Sequence, residues 1–186
     1  MVRGVPVIDP VAAVFSVAAH ISVDEATILL DALITDADNY PGLMPKPAVS
    51  VADVRARIEQ WGRFRGVKTI RAALLRARDH VEPPKETETR LLLVRHGLPE
   101  PVVQHEMLLA GRRARIDLAY PELRIAVEYE GDGHRVDKAQ WRRDIQRHRL
   151  LADAGWTVIR VTQLDLDEPA DLLERIRRAI ARARRA

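Results

Sequence analysis

Two stretches that alternate apolar and polar residues, one on each side of Pro121-Glu122, constrain the fold of this chain more than any other feature. Successive side chains of a β-strand point to opposite faces, so each stretch has an apolar face and a polar one. The apolar face carries Ile116, Leu118, Tyr120, Leu123, Ile125, Val127 and Tyr129. The other face carries Arg115, Asp117, Ala119, Arg124, Ala126, Glu128 and Glu130. The pattern predicts two antiparallel strands joined at Pro121-Glu122.

The pattern of apolar and polar residues changes near Pro83-Pro84. Residues 1–82 have the pattern of a small helical N-terminal region, and residues 83–186 that of a unit in which strands and helices alternate. The predicted elements of the second part are a helix over 86–96, strands over 102–109, 113–120 and 123–130, a helix over 137–154, a strand over 156–162 and a helix from 167 onward. The order is α-β-β-β-α-β-α, which predicts an α/β fold whose first three strands form a meander.

The helical region begins with clear start signals. Asp9-Pro10 supplies an N-cap and a first-turn proline, which argues against reading the apolar residues after it as a signal peptide. Ser22 and Glu25 form a capping box, and helices are predicted over 22–38, 50–61 and 68–81, with a proline-rich loop over 40–47. In the helix over 68–81, Ile70, Leu74 and Leu75 are expected to face inward.

Composition excludes several classes of protein. The 186 residues include no cysteine, which excludes disulfides, thiolate zinc sites and cysteine nucleophiles. No apolar run reaches the roughly 20 residues of a membrane-spanning helix, so we expect a cytoplasmic protein without a membrane partner. Thirty Lys and Arg against 27 Asp and Glu give a net charge of only +3, so any affinity for nucleic acid must come from a local patch.

The polar face of the hairpin predicts a metal site. With Pro121-Glu122 as a two-residue loop, Tyr120 faces Leu123, and Asp117 has Glu128 as its diagonal neighbour. Two carboxylates so placed can share a hard divalent cation such as Mg²⁺. The alternative is an ordinary solvated sheet face, on which carboxylates and arginines commonly alternate.

His134 follows the acidic strand within Gly131-Asp132-Gly133-His134. This placement suggests a general acid or base, or a group that positions water, near the carboxylates. A structural role is the alternative.

Several motifs, in this order, resemble a known family. They are Pro84-Lys85-Glu86-Thr87, Gly97-Leu98-Pro99-Glu100-Pro101, residues 115–121, residues 127–135, Trp141 with Asp144 and Arg147, and residues 155–162. Over about residues 83–173 the chain is similar to actinobacterial endonuclease-like domains related to very-short-patch repair endonucleases, within the PD-(D/E)XK restriction-endonuclease-like superfamily.

The resemblance implies a restriction-endonuclease-like α-β-β-β-α-β core and a catalytic set. Glu86 would be the helix glutamate, with Glu88 as its rival, Asp117 the first metal ligand and Glu128 the second. His134, Asp144 and Arg147 match further polar positions.

The chain departs from the family pattern at one position of the acidic strand. Glu130 stands where the family usually has Asp and where the superfamily has the lysine that orients the attacking water. Glu130 or His134 could take over this task.

Arginines are the residues expected to contact DNA phosphates. The alternative is that arginines on solvated helix faces only reflect the biased composition of this chain. The candidates are Arg115, Arg135, Arg142, Arg143, Arg147 and Arg160. Together with the predicted metal site, the resemblance implies a Mg²⁺-dependent DNA endonuclease, with Mn²⁺ able to substitute and phage defence as the expected context. The alternative is a catalytically weak or inactive DNA-binding or antitoxin-like regulator. A symmetric double-strand cut would need a homodimer, which stays an open option.

Overall fold

The structure is a computed structural model that describes residues 8–35, 49–81, 84–130 and 138–185, except for the side chains of 138–144. The loop predicted over 40–47 lies outside these ranges. The elements, in chain order, are α1 (Pro10–Val17), α2 (Val23–Ile34), α3 (Val51–Trp61), α4 (Val67–Arg76), α5 (Pro84–Arg95), β1 (Val102–Leu109), β2 (Arg112–Tyr120), a 3-10 turn (Pro121–Leu123), β3 (Ile125–Tyr129), α6 (Lys138–Asp153), β4 (Thr157–Val161), α7 (Gln163–Asp167) and α8 (Ala170–Ala183). The chain divides into two compact units, Met1–Thr87 and Glu88–Ala186, and the division lies within α5.

The first unit contains α1 to α4, whose starts follow the predicted caps. The Asp9 carboxylate accepts a hydrogen bond from the Ala12 amide at 3.0 Å, and Ser22 and Glu25 form the reciprocal capping box. A core of aliphatic side chains with Phe15 joins the helices. Helix α4 ends at Arg76, five residues before the predicted end.

The prediction that Leu75 faces inward is wrong, because its side chain is 76% exposed. At about 100° per residue, Leu75 lies about 140° around the helix from the buried Ile70, whereas Leu74 lies only about 40° away. The two adjacent leucines therefore cannot both face the core.

The second unit is built on one mixed sheet. Its strand order is β1-β2-β3-β4, with antiparallel pairs β1–β2 and β2–β3 and a parallel pair β3–β4. This arrangement confirms the mixed α/β class and the predicted meander. One sheet face packs against α5 and α8 through residues such as Leu93 and Ile176. The other packs against α6 through Leu151.

The predicted register of the central hairpin is wrong by two residues. Tyr120 pairs with Ile125 and Leu118 with Val127, because a 3-10 turn and the left-handed Arg124 (φ 50°) make a four-residue connection. A two-residue register shift keeps every side chain on its own face. It replaces the predicted diagonal relation of Asp117 and Glu128 with a direct one, since the same register extended by one pair places the two residues opposite each other.

Ile116 departs from the predicted alternation. It packs with Ala119, Ala126 and Trp156 and not with the cluster of Leu118 and Tyr120. The β1–β2 pair is irregular at this level, where Gln104, opposite Asp117 by register, has a left-handed backbone (φ 48°). Such an irregularity bends a strand and changes where its side chains point.

The C-terminal region contains two helices where one was predicted from residue 167 onward. Thr162 and Asp165 form a capping box that starts α7, and Pro169 precedes α8. Among the described helices, none combines the length and the apolar content needed to cross a bilayer.

Candidate functional site

Asp117 and Glu128 meet on the face of the sheet that α6 covers. The Tyr129 amide donates a hydrogen bond to the Asp117 carboxylate at 3.3 Å, so this carboxylate lies beside the peptide that follows Glu128. Burial, and then the negative charge of Glu128, raise the pKa of Asp117 to about 6. Arg147, the Tyr129 amide and Arg115 act in the opposite direction. The predicted convergence of the two acidic residues is therefore present.

Glu128 is buried, with 4% of its surface exposed, and α6 provides its charge partners. Arg147 spans the carboxylate, because its Nη1 lies 2.7 Å from Oε1 and its Nη2 donates to Oε2 at 2.8 Å. The Nε2 atom of His148 lies 2.8 Å from the same Oε2. A buried carboxylate needs such partners, since desolvation without them costs several kcal/mol.

Arg160 extends this network from the neighbouring strand. The parallel register pairs Arg160 with Glu128, and the Arg160 guanidinium contacts Nδ1 of His148. Arginine cannot accept a hydrogen bond, so Nδ1 accepts and a neutral His148 carries its proton on Nε2, directed at Glu128. Arg160 Nη1 also lies 3.5 Å from Glu130 Oε2, where both side chains are about half exposed. Glu130 is therefore at the rim of the site.

Arg115 contributes through its backbone as well as its charge. Its carbonyl oxygen accepts a hydrogen bond from Arg147 Nη1 at 3.0 Å. Because Arg115 lies two residues before Asp117, this bond fixes the Arg147 guanidinium against the strand that carries Asp117. Of the six arginines predicted to contact phosphates, the structure brings Arg115, Arg147 and Arg160 together.

The roles predicted for the other site residues stay predictions. Glu86 is buried in the first turn of α5 and belongs to the first unit, so its role as a catalytic glutamate stays a prediction. Arg142 and Arg143 belong to α6, but their side chains are outside the described residues. His134 and Arg135 also lie outside the described residues, and their predicted roles stay predictions.

His148 is a site residue that the sequence reasoning missed. It lies three residues before the buried Leu151, and Arg147 lies four before it, so helical periodicity places all three on the side of α6 that faces the sheet. That spacing is the signal that could have identified His148.

Two carboxylates form a hard-oxygen donor pair that suits Mg²⁺ in its chemistry. In the structure, however, Arg147 and His148 already engage Glu128. Within the described residues, no group of three His, Asp or Glu side chains is arranged to hold a metal ion. The described residues therefore offer a cation at this place two carboxylate ligands, Asp117 and Glu128, and the second is already paired with Arg147 and His148.

Comparison with known proteins gives relatives without an assigned function. The chain is 38% identical over 130 residues to two uncharacterized proteins of Mycobacterium tuberculosis, Rv2248 from strain H37Rv and MT2308 from strain CDC 1551. The match covers 69% of this chain and 48% of each relative, so the chain spans about half the length of the curated relatives it matches. No family model matches the chain, and no solved structure matches it.

Proposed function

We propose that the second unit is a restriction-endonuclease-like domain that hydrolyses DNA phosphodiester bonds with the help of Mg²⁺. The observation that carries this proposal is the placement of Asp117 beside Glu128, with Arg147 on the Glu128 carboxylate and Arg160 on His148. The α-β-β-β-α-β order of the elements supports it. Phage defence is the expected context of such an activity.

Asp117 and Glu128 would hold the cation, which, when bound, stabilises negative charge on the phosphate and acidifies water. Arg115 and Arg160 are exposed enough to bind phosphate oxygens and orient the backbone of the nucleic acid. Glu130 lies at the rim, where it could accept a proton from water. We propose Glu130 as the base, with His134 as the rival for this role.

The first test is cleavage of supercoiled plasmid and of mismatched duplexes with Mg²⁺ or Mn²⁺. Asp117→Ala should lower nicking by on the order of a hundredfold or more, because the variant loses an oxygen ligand and its charge. Asp153→Ala removes an exposed carboxylate of α6 and is the matched control. If Asp117→Ala cuts as well as the parent protein while remaining folded by circular dichroism, the site is wrongly assigned.

The second candidate function is a DNA-binding regulator that cuts poorly or not at all. Two observations favour it: Glu130 replaces the superfamily lysine, and Arg147 and His148 engage Glu128. Metal-independent DNA binding by the parent protein and by Asp117→Ala, with no cutting by either on the whole substrate panel, would support this function over the nuclease.

A further inference from the structure

Arg147 contacts both carboxylate oxygens of Glu128. Its two terminal nitrogens lie 2.7 Å and 2.8 Å from Oε1 and Oε2, and the contact with Oε2 is a charge-assisted hydrogen bond. Among the described residues, none donates a hydrogen bond with good angles to Oε1, although Nη1 of Arg147 lies 2.7 Å from it. Oε1 is therefore held by charge attraction, and a small ion could take this place.

A hydrogen bond to β2 and the packing of α6 against the sheet fix the position of Arg147. The Arg115 carbonyl holds Nη1 from β2, and Leu151, one turn further along α6, is buried against the sheet. The guanidinium is thus fixed near both acidic residues and its charge also acts on Asp117. However, the Arg147 side chain is 31% exposed, so it can turn outward without unpacking the core.

Glu128 keeps a partner when Arg147 leaves. His148 Nε2 donates to Oε2, and Arg160 holds the other ring nitrogen. One oxygen of Glu128 therefore stays fixed by His148 while the other becomes available to a new cation.

We propose that Arg147 is a built-in counter-ion that competes with a divalent cation for Glu128 and turns outward, toward a phosphate, when the cation binds. This inference rests on the proposed metal site of Asp117 and Glu128. It makes cation binding and phosphate binding mutually reinforcing, because each favours the state in which Arg147 has left Glu128.

The test is Mn²⁺ binding followed by electron paramagnetic resonance. Arg147→Met keeps much of the aliphatic volume and removes the competing charge, so Mn²⁺ should bind on the order of tenfold more tightly than to the parent protein. Arg149→Met, on the exposed side of the same helix, should leave the affinity unchanged. A short DNA duplex should tighten Mn²⁺ binding to the parent protein and should do so less in Arg147→Met.

Removal of Arg147 could destabilise the protein, because the buried Glu128 carboxylate would lose one of its positively charged partners. A second measurement therefore uses the unaltered chain. In ¹⁵N NMR, the guanidinium signal of Arg147, assigned with Arg147→Lys, should lose its salt-bridge shift on addition of Mg²⁺. A signal that stays unchanged while Mg²⁺ binds would overturn the inference.

The outcomes separate the inference from the proposed function. Mn²⁺ binding that is lost in Asp117→Asn but equal in the parent protein and Arg147→Met overturns the role of Arg147 and leaves the metal site standing. If neither the parent nor Arg147→Met binds Mn²⁺, both proposals fail.

Discussion

At the scale of single residues, the site places two carboxylates and a guanidinium close together in partly buried surroundings. Asp117 and Glu128 repel each other, and Arg147 offsets part of this repulsion. Groups arranged in this way destabilise the folded protein, and such arrangements are common at the functional sites of proteins. Glu128 became part of a four-residue network only because α6 and β4 bring Arg147, His148 and Arg160 to it.

Asp117→Asn should change how stability depends on pH, measured by urea unfolding in a chelating buffer. The folded pKa of Asp117, about 6, is above its usual 3.8, so the folded state holds the proton more tightly. In the parent protein, Asp117 therefore leaves the free energy of unfolding unchanged below pH 3.8. It lowers this free energy as the pH rises toward 6, and the loss remains at higher pH. The penalty at pH 7.5 is on the order of 2 kcal/mol, allowing for partial exposure of the carboxyl group.

Asn carries no charge and its amide oxygen can still accept from Tyr129, so the variant should be the more stable protein at pH 7.5. The two proteins should converge near pH 4. Parallel stability profiles over pH 4 to 7.5 would show that Asp117 is not perturbed.

At the scale of elements, two turns decide which side chains meet. The 3-10 turn with left-handed Arg124 sets the β2–β3 register, and the Arg124 carbonyl accepts from the Thr157 amide at 2.8 Å, which ties this turn to the start of β4. The end of α6 is fixed by Gly155, as the sequence predicts, with the Trp156 amide bonded to the Leu151 carbonyl. These turns place α6 over Glu128.

Gly155→Ala should lower the free energy of unfolding by about 1–2 kcal/mol, because an L side chain at a φ of +78° is strained. The new methyl group would also lie 3.1 Å from the Arg124 guanidinium, a flexible group that can move aside. Gly155→Asn should lose less, since Asn tolerates the left-handed conformation. Urea unfolding measures both, and equal stability of Gly155→Ala and the parent protein would contradict the assignment of this helix end.

At the scale of the whole molecule, positive and negative charges nearly cancel. Any electrostatic attraction of a ligand must therefore come from a local group of like charges. The net charge is +3, yet the site brings Arg115, Arg147 and Arg160 to one face of the second unit. The two units have separate cores, and the candidate site residues described above, apart from Glu86, belong to the second.

The proposed binding of DNA should therefore weaken steeply with salt, with the slope set by a few arginines. Arg115→Gln should weaken binding across sequences and lower the slope of log K against log salt by about 1. Arg57→Gln, which removes a charge paired with Asp9 in the first unit, is the control. Fluorescence anisotropy at several salt concentrations measures both, and a slope that Arg115→Gln leaves unchanged would exclude a phosphate contact at Arg115.

The sequence by itself determined the features that depend on neighbours along the chain. Alternation predicted the strands and the shared face of Asp117 and Glu128, while Asp9, Ser22 and Gly155 marked helix ends through local hydrogen bonding and backbone freedom. Tertiary structure decided the register across Pro121–Leu123 and the engagement of Glu128 by Arg147 and His148. Periodicity gives the face of an element but not its offset from another, because offset is set by turn geometry and by packing between segments that are distant in the sequence.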